Sequence, residues 1–369
     1  MRRLPRSRVP TQARALAVLG TTLSLPGASA LTRVGRQPVA FDTTVAGITT
    51  TVVRPSSAPP WPALVFMNGA TPDGRSHPTV HRLSLALART GVCVFIPDLT
   101  GVAGGELSPG TLAQAVAVSN AAAHSPETAD ARVALVGVSV GATLALLAAA
   151  DARLRRHISV VACVAPFADL AEVMRLATTG TYRDGERVRH HAPPPYLRVG
   201  LARSLAAMLA TNPATVDLCR ALRALDHESA PPAELPAEAF RQAGAEAERL
   251  YGLLANTDPR RFEELYAALP AHVRDAVVSL SPIHVAHQLR APVEIAIAPR
   301  DRYFPVAEAQ ALAAASPHVR LTITGLLTHA TPRVDVRNVA ELHRLYAFFT
   351  RAFRAATNRP RLHSNAEQT

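Results

Sequence analysis

A chain of 369 residues that is 48% hydrophobic and 18% charged can bury one large core or two modest ones, and it excludes wholesale disorder. The net charge of +11 invites a nucleic-acid reading, yet all 39 basic residues are scattered arginines and aromatic residues make up only 5%, so no stacking platform forms and no nucleic-acid partner is expected. Cys93, Cys163 and Cys219 stand alone without C-x-x-C spacing, so neither a zinc site nor a disulfide framework is indicated, and the first two lie in apolar runs as small core residues.

Residues 1–30 start with Arg2, Arg3, Arg6, Arg8 and Arg14 and continue with an apolar segment, Ala15 to Ala30, that closes in Ala28-Ser29-Ala30. A basic start, an apolar stretch and an A-x-A ending make the layout of a signal peptide, so the chain is expected to be exported or associated with the cell envelope. Thr21, Thr22 and Pro26 interrupt the apolar stretch, which leaves an uncleaved membrane anchor and a cytoplasmic tail as alternatives.

From residue 38 the pattern becomes that of a folded body. The β-branched alternation of Pro38 to Pro55, with Gly47 at its middle, predicts a hairpin. Trp61 to Gly69 is a short apolar strand ending in Asn68-Gly69, followed by a helical pattern that closes at Gly91. VCVFIPDLTG repeats the strand, and SPGTLAQAVAVSNAAAHS repeats the helix behind Ser108 and Pro109. Strands alternating with helices of this length predict a mostly parallel, doubly wound α/β sheet.

Val133 to Ala150 carries no charge and is long enough to cross a bilayer, with Gly137 and Gly141 in G-x-x-x-G spacing. Its composition changes at Ser139, however. VALVGVSV is β-branched like the strands before it, whereas GATLALLAAA consists of helix formers. The stretch therefore reads as the next strand and helix of the series. His157 to Leu170 supplies another strand. Between residues 170 and 290 the rhythm breaks into helical patterns joined by proline-rich segments, with no convincing strand, and this part is expected to be an inserted helical cap. The series resumes at 291–356 with APVEIAIAPRD, a helix, the strand HVRLTITGLLTH and a final amphipathic helix. The tail 357–369 is polar and expected to fray.

Reactive groups in a parallel sheet belong on loops at the carboxyl ends of strands. Ser139 stands there, in Gly137-Val138-Ser139-Val140-Gly141, a G-x-S-x-G pattern whose glycines permit a sharp bend. A serine hydroxyl needs a base and an orienting acid to become a nucleophile. Asp301 and His329 follow later strands, in the chain order Ser, Asp, His. The loop NGATPDG lies where backbone N–H groups would receive an oxyanion.

With GVSVG at the elbow, PALVFMNG before the first core helix, LRAPVEIAIAPRD around Asp301 and the G-x-x-x-H run from Gly325 to His329, the chain resembles an α/β-hydrolase of the dienelactone-hydrolase and esterase-like branch. The resemblance spans roughly residues 40–169 and 280–355 and leaves the cap undecoded. It implies an α/β-hydrolase fold and a serine esterase with Ser139 as nucleophile, His329 as general base and acid, and Asp301 fixing the imidazole tautomer. The oxyanion hole would come from the N–H of Val140 with that of Ala70 or Gly69. The implied substrate is a small-molecule ester, and neither a cofactor nor a metal is implied. Serine peptidase and thioesterase chemistry use the same triad, and a catalytically silent binding protein is the alternative from another class.

Two departures stand out, since relatives usually carry His-Gly where this chain has Asn68-Gly69 and again where it has Ala298-Pro299. An Asp or Cys nucleophile, as some relatives use, is excluded by Ser139. Asp169 is the rival for the acid, with a helix N-cap as its plainer role. Asp98, and Asp73 with Arg75, read as turn residues. His190-His191 and His284/His287 lack carboxylate or thiol company at ligand spacing, so no metal site is expected.

Overall fold

The computed structural model describes residues 11–22, 37–225, 234–329, 331–332 and 338–357. Ala46 and Gly47 both take positive φ, 51° and 79°, the geometry of a tight hairpin turn, and they join β1 (Val39–Val45) to β2 (Ile48–Arg54) in antiparallel register. Behind them come β3 (Trp61–Met67), β4 (Cys93–Pro97), β5 (Thr128–Val138) and β6 (Ile158–Val164). The sheet is completed late in the chain by two strands, Val293–Ile297 and Val319–Ile323, in spatial order β1-β2-β4-β3-β5-β6 and then these two. Pairing is antiparallel as far as β4 and parallel from there on. The β-branched runs expected as buried strands are these core strands.

Helix α1 (Thr11–Thr22) precedes the sheet, and α2 (Pro78–Arg89), α3 (Pro109–Ala123) and α4 (Val140–Ala150) join its strands. Local chemistry sets their starts. Pro78 and Pro109 occupy first-turn positions, where a missing N–H costs nothing, and the Ser108 hydroxyl accepts from the Thr111 N–H at 3.1 Å. The charge-free stretch 133–150 is thus a strand followed by a helix, and α4 is buried from Gly141 to Ala150, as a helix apolar on every side must be. No described helix is long and apolar enough to cross a membrane.

Residues 170–290 contain α5 (Leu170–Thr179), then β7 (Thr181–Asp184) and β8 (Arg187–His190), then α6 (Tyr196–Ala206), α7 (Pro213–Arg223), α8 (Ala237–Gln242), α9 (Ala245–Leu254), α10 (Phe262–Ala267) and α11 (Ala271–Ser279). The antiparallel pair β7–β8 corrects the expectation that this region holds no strand. Its turn is Gly185-Glu186, with Gly185 at φ 61°, and every residue of β8 is exposed, so the apolar alternation that marks a half-buried strand is missing. The insertion meets the sheet domain through buried polar contacts. Arg203 donates to the Gly104 carbonyl at 2.7 Å, and the Leu107 N–H donates to Ser204 Oγ at 2.9 Å.

The chain returns through β9 (Val293–Ile297), α12 (Val306–Ala315) and β10 (Val319–Ile323), and ends its described part with α13 (Val339–Thr357). The final strand was expected to run on to His329, but β10 stops at Ile323 and a turn carries Leu327–Thr328 (β11) into a separate two-residue pair with Thr331–Pro332 (β12). Helix α1 packs beside α2 and α13 over the sheet, burying Ala15, Val18 and Leu19. The rest of the expected leader, including Ala28-Ser29-Ala30, lies outside the described residues, as does the tail from residue 358.

Candidate active site

Ser139 is placed by strain and by close backbone crossing. It follows β5 with φ 54° and ψ −124°, a region that costs an L-residue roughly 1–3 kcal/mol and persists only where its surroundings enforce it. Its N–H donates to the Val164 carbonyl at 2.8 Å, which ties the bend to β6. The two flanking glycines leave no room for a side chain. A Cβ on Gly137 would stand 2.2 Å from the Gly141 carbonyl oxygen, and one on Gly141 would stand 2.2 Å from that of Met67. What looked like a membrane dimerisation spacing is therefore the clearance that lets the bend pass over β3.

Asp301 follows β9 and is buried. Its Oδ1 accepts the N–H groups of Tyr303 at 2.9 Å and Phe304 at 3.0 Å. His329 Nδ1 lies 2.8 Å from Oδ1 and 3.0 Å from Oδ2 of the same carboxyl. Burial works against ionisation of Asp301, but the bonds and charge from His329 and the two backbone N–H groups outweigh it and hold the carboxyl below its ordinary value. With Nδ1–H given to the carboxylate, Nε2 is left as the basic nitrogen of the ring. His329 itself sits at φ 68°, and its ring is wedged against Tyr303 (centroids 4.5 Å apart) and edge-on to Phe304 (5.7 Å).

Ser139 and His329 line one cavity of about 540 Å³, together with Gly69, Ala70 and Val140. Val140 opens α4, so its N–H has no acceptor within the helix. Gly69 brings the loop after β3 against the elbow, since a Cβ there would lie 3.0 Å from the Val138 carbonyl oxygen. Asn68 donates from Nδ2 to the Gly74 carbonyl at 2.7 Å and closes that loop. Pro299 removes no donor that the acid uses, because the N–H groups on Asp301 come from two and three residues downstream.

The remaining candidates lie elsewhere. Asp169 caps α5, with Oδ1 accepting from the Ala171 N–H at 2.8 Å and from Ser281 Oγ at 3.3 Å, while Asp301 is the acid beside His329. Arg75 pairs with Asp42 at 2.7 Å, and Asp73 and Asp98 are exposed, so none of the three lines the cavity. His191 Nε2 lies 3.1 Å from the Arg302 carbonyl, while His190, His284 and His287 are exposed. No group of three or more His, Cys, Asp and Glu side chains able to hold a metal occurs among the described residues. Sequence reasoning missed Tyr303 and Phe304, which hold both members of the Asp301–His329 pair; the only trace is an aromatic pair directly after the acid in Arg-Asp-Arg-Tyr-Phe-Pro.

Comparison with known proteins agrees with this architecture. The profile of the alpha/beta hydrolase family matches residues 64–342, three quarters of the chain. No curated protein matches by sequence. Among solved structures, an acylaminoacyl peptidase in complex with a chloromethyl ketone is similar at a TM-score of 0.50 and 11% identity, over 90% of this chain and 44% of that longer one. An esterase/lipase from an uncultured bacterium aligns over 95% of this chain and 94% of its own length, at 13% identity and a TM-score of 0.45. A dienelactone hydrolase from Anabaena variabilis aligns over 86% and 98%, at 13% identity and a TM-score of 0.43. At these identities the likeness is one of fold.

Proposed function

The chain belongs to the alpha/beta hydrolase family, and from that premise we propose that it is a serine hydrolase cleaving carboxylic esters through Ser139, His329 and Asp301. The observation that carries this reading is the His329–Asp301 pair, held through Nδ1 at 2.8 and 3.0 Å, with its imidazole on the same cavity as the strained Ser139. In this mechanism His329 Nε2 takes the proton of Ser139 Oγ as the oxygen attacks the ester carbonyl. Asp301 keeps the tautomer and offsets the positive charge that develops on the ring. The N–H groups of Val140 and of Ala70 or Gly69 receive the oxyanion, each worth about 3 kcal/mol of barrier. The imidazolium then protonates the leaving alkoxide, the alcohol departs, and a water activated by Nε2 releases the acid.

The helices of 170–290 act as the cap, with Tyr196, Leu197 and Leu201 of α6 lining the cavity that Ser139 lines. Labelling with a fluorophosphonate tests the proposal. The wild-type chain is expected to be modified at Ser139, and Ser139→Ala and His329→Ala are not. A folded wild type that refuses the label would overturn the proposal in favour of a silent binding protein. Paired ester and amide reporters separate an esterase, which turns over the ester alone, from a peptidase, which turns over both.

A further inference from the structure

The cavity that reaches Ser139 is larger and more apolar than a short acyl group requires. No Asp, Glu or Arg side chain lines it in the described residues, although the chain is 18% charged. Its polar lining includes Asn68, Thr71, Ser139, Tyr303 and His329, with His77 and Thr79 at the start of α2 and Tyr196 and Ser204 on α6. An arm of it runs behind the central strands, between the sheet and the helices α2 and α13, lined by Leu64, Phe66, Val136, Leu83, Phe348 and Phe349. Leu64 and Phe66 on β3 share one sheet face, as do Ala134, Val136 and Val138 on β5, because side chains alternate along a strand. On that face Val136 and Val138 are only half-buried, whereas Val133 to Leu135 are fully buried in the same strand. Open space therefore adjoins the middle of the sheet. Ala15 and Val18 of α1, both buried, line the same cavity.

A polar reacting end joined to a long, uncharged, hydrocarbon-lined arm matches the chemistry of a fatty acyl ester. We propose that the substrates are esters of long-chain carboxylic acids, whose acyl chain lies between the sheet and α2/α13 and ends on Val18 and Ala15, so that the N-terminal helix sets the chain length accepted. This rests on the serine-hydrolase reading given above. It also requires that residues 11–22 remain in the active protein, although the same segment has the layout of an export leader.

The test uses the full-length protein and p-nitrophenyl esters of acetic, butyric, octanoic and dodecanoic acid. Each methylene buried is worth up to roughly fourfold in binding, so kcat/KM is expected to rise by at least tenfold from acetate to octanoate. Val18→Trp fills the end of the arm, and the ratio of dodecanoate to acetate kcat/KM is expected to fall at least tenfold, with a thermal melt reporting that the variant is folded. Calorimetry of dodecanoic acid against Ser139→Ala gives a second readout independent of turnover, and it still decides should Val18→Trp fail to fold. Dodecanoic acid is expected to bind there at least tenfold more tightly than butyric acid. Hydrolysis of the acetate ester with a flat or falling length profile, or an unmoved ratio in folded Val18→Trp, overturns the acyl arm and leaves the hydrolase reading standing. Length-dependent binding without any ester hydrolysis supports the arm and overturns the hydrolase reading instead. An intact mass showing that the active chain lacks residues 11–22 overturns the arm outright.

Discussion

His329 meets both carboxyl oxygens of Asp301 through one nitrogen, at 2.8 and 3.0 Å, while the same carboxyl is pinned by the N–H groups of Tyr303 and Phe304. The acid is fixed first, by its own loop, and the imidazole is then fixed by the acid. This order means that Asp301→Asn leaves the loop contacts able to form but presents a donor to Nδ1. The ring is then free to take the tautomer in which Nε2 carries the proton and cannot accept one. kcat/KM for an ester substrate is expected to fall by about 10⁴, with little change in KM. A loss smaller than tenfold would mean that Asp301 does not orient the base.

Asp169 offers the contrasting case. Its carboxylate caps α5 and accepts from Ser281 Oγ, linking the first helix of the insertion to the turn at its far end. Asp169→Ala is expected to lower stability by about 1 kcal/mol, the usual worth of an N-cap, and to leave ester turnover within twofold of wild type. A denaturant melt and a rate assay on the same sample check both halves. A thousandfold loss of rate at unchanged stability would make Asp169 the acid and contradict the geometry around His329.

The parallel core was legible in the sequence because its buried strands are short apolar runs bounded by turns, and the candidates Ser139, Asp301 and His329 could be picked out because each was read after such a run, although His329 stands beyond β11 and not at the end of β10. Less visible were features that depend on where separate segments meet. Tyr303 and Phe304 hold Asp301 through backbone N–H groups, which leave no side-chain signature. Strand β8 has no apolar alternation because every one of its residues faces solvent. Helix α1 has the composition of a leader, since Ala15, Val18 and Leu19 suit a core as well as a translocation signal; its place over the sheet follows from the gap between α2 and α13, which no local pattern records.

Gly141 lies where α4 crosses the end of β3, and an added Cβ would be 2.2 Å from the Met67 carbonyl oxygen and 2.3 Å from that of Asn68. Both obstacles are backbone, at the last residue of a central strand and the residue that follows it, so neither can step aside cheaply. Gly141→Ala is expected to cost upwards of about 3 kcal/mol, at the severe end of overpacking, and to abolish fluorophosphonate labelling even where soluble protein is recovered. Gly47→Ala is the control, because its hairpin turn has open space around it and only the positive φ of 79° to resist a side chain, a penalty of about 1–2 kcal/mol. Equal losses in the two variants would show that the elbow is not the tight crossing described here.

Glu308 makes stability depend on pH between the ordinary carboxylate range and neutrality. It is buried on α12, and its Oε2 accepts the N–H groups of Ala168 at 2.7 Å and Asp169 at 3.1 Å, at the junction where β6 leads into the insertion. Burial pushes its pKa up to about 7, against the downward pull of those two N–H groups and with the help of the nearby Asp169 and Glu172 charges. An acid whose folded pKa is raised favours the folded state while it is protonated. Its contribution is whole below the unfolded value near 4.5 and is lost as pH rises from there to about 7, because over that window the unfolded chain gives up the proton first. The loss amounts to about 3 kcal/mol. Glu308→Gln keeps an oxygen acceptor for the two N–H groups and cannot ionise, so it should gain on the wild type by that amount between pH 4.5 and 7 and run parallel to it above. Asp301 pulls the opposite way and at lower pH. Its folded value is depressed, so its stabilisation is present above the ordinary aspartate range and disappears as pH falls below it, in wild type and Glu308→Gln alike. Denaturant melts of both proteins at pH 4.5, 6 and 8 check this, and stability curves that stay parallel across all three would show that Glu308 titrates like an exposed carboxylate.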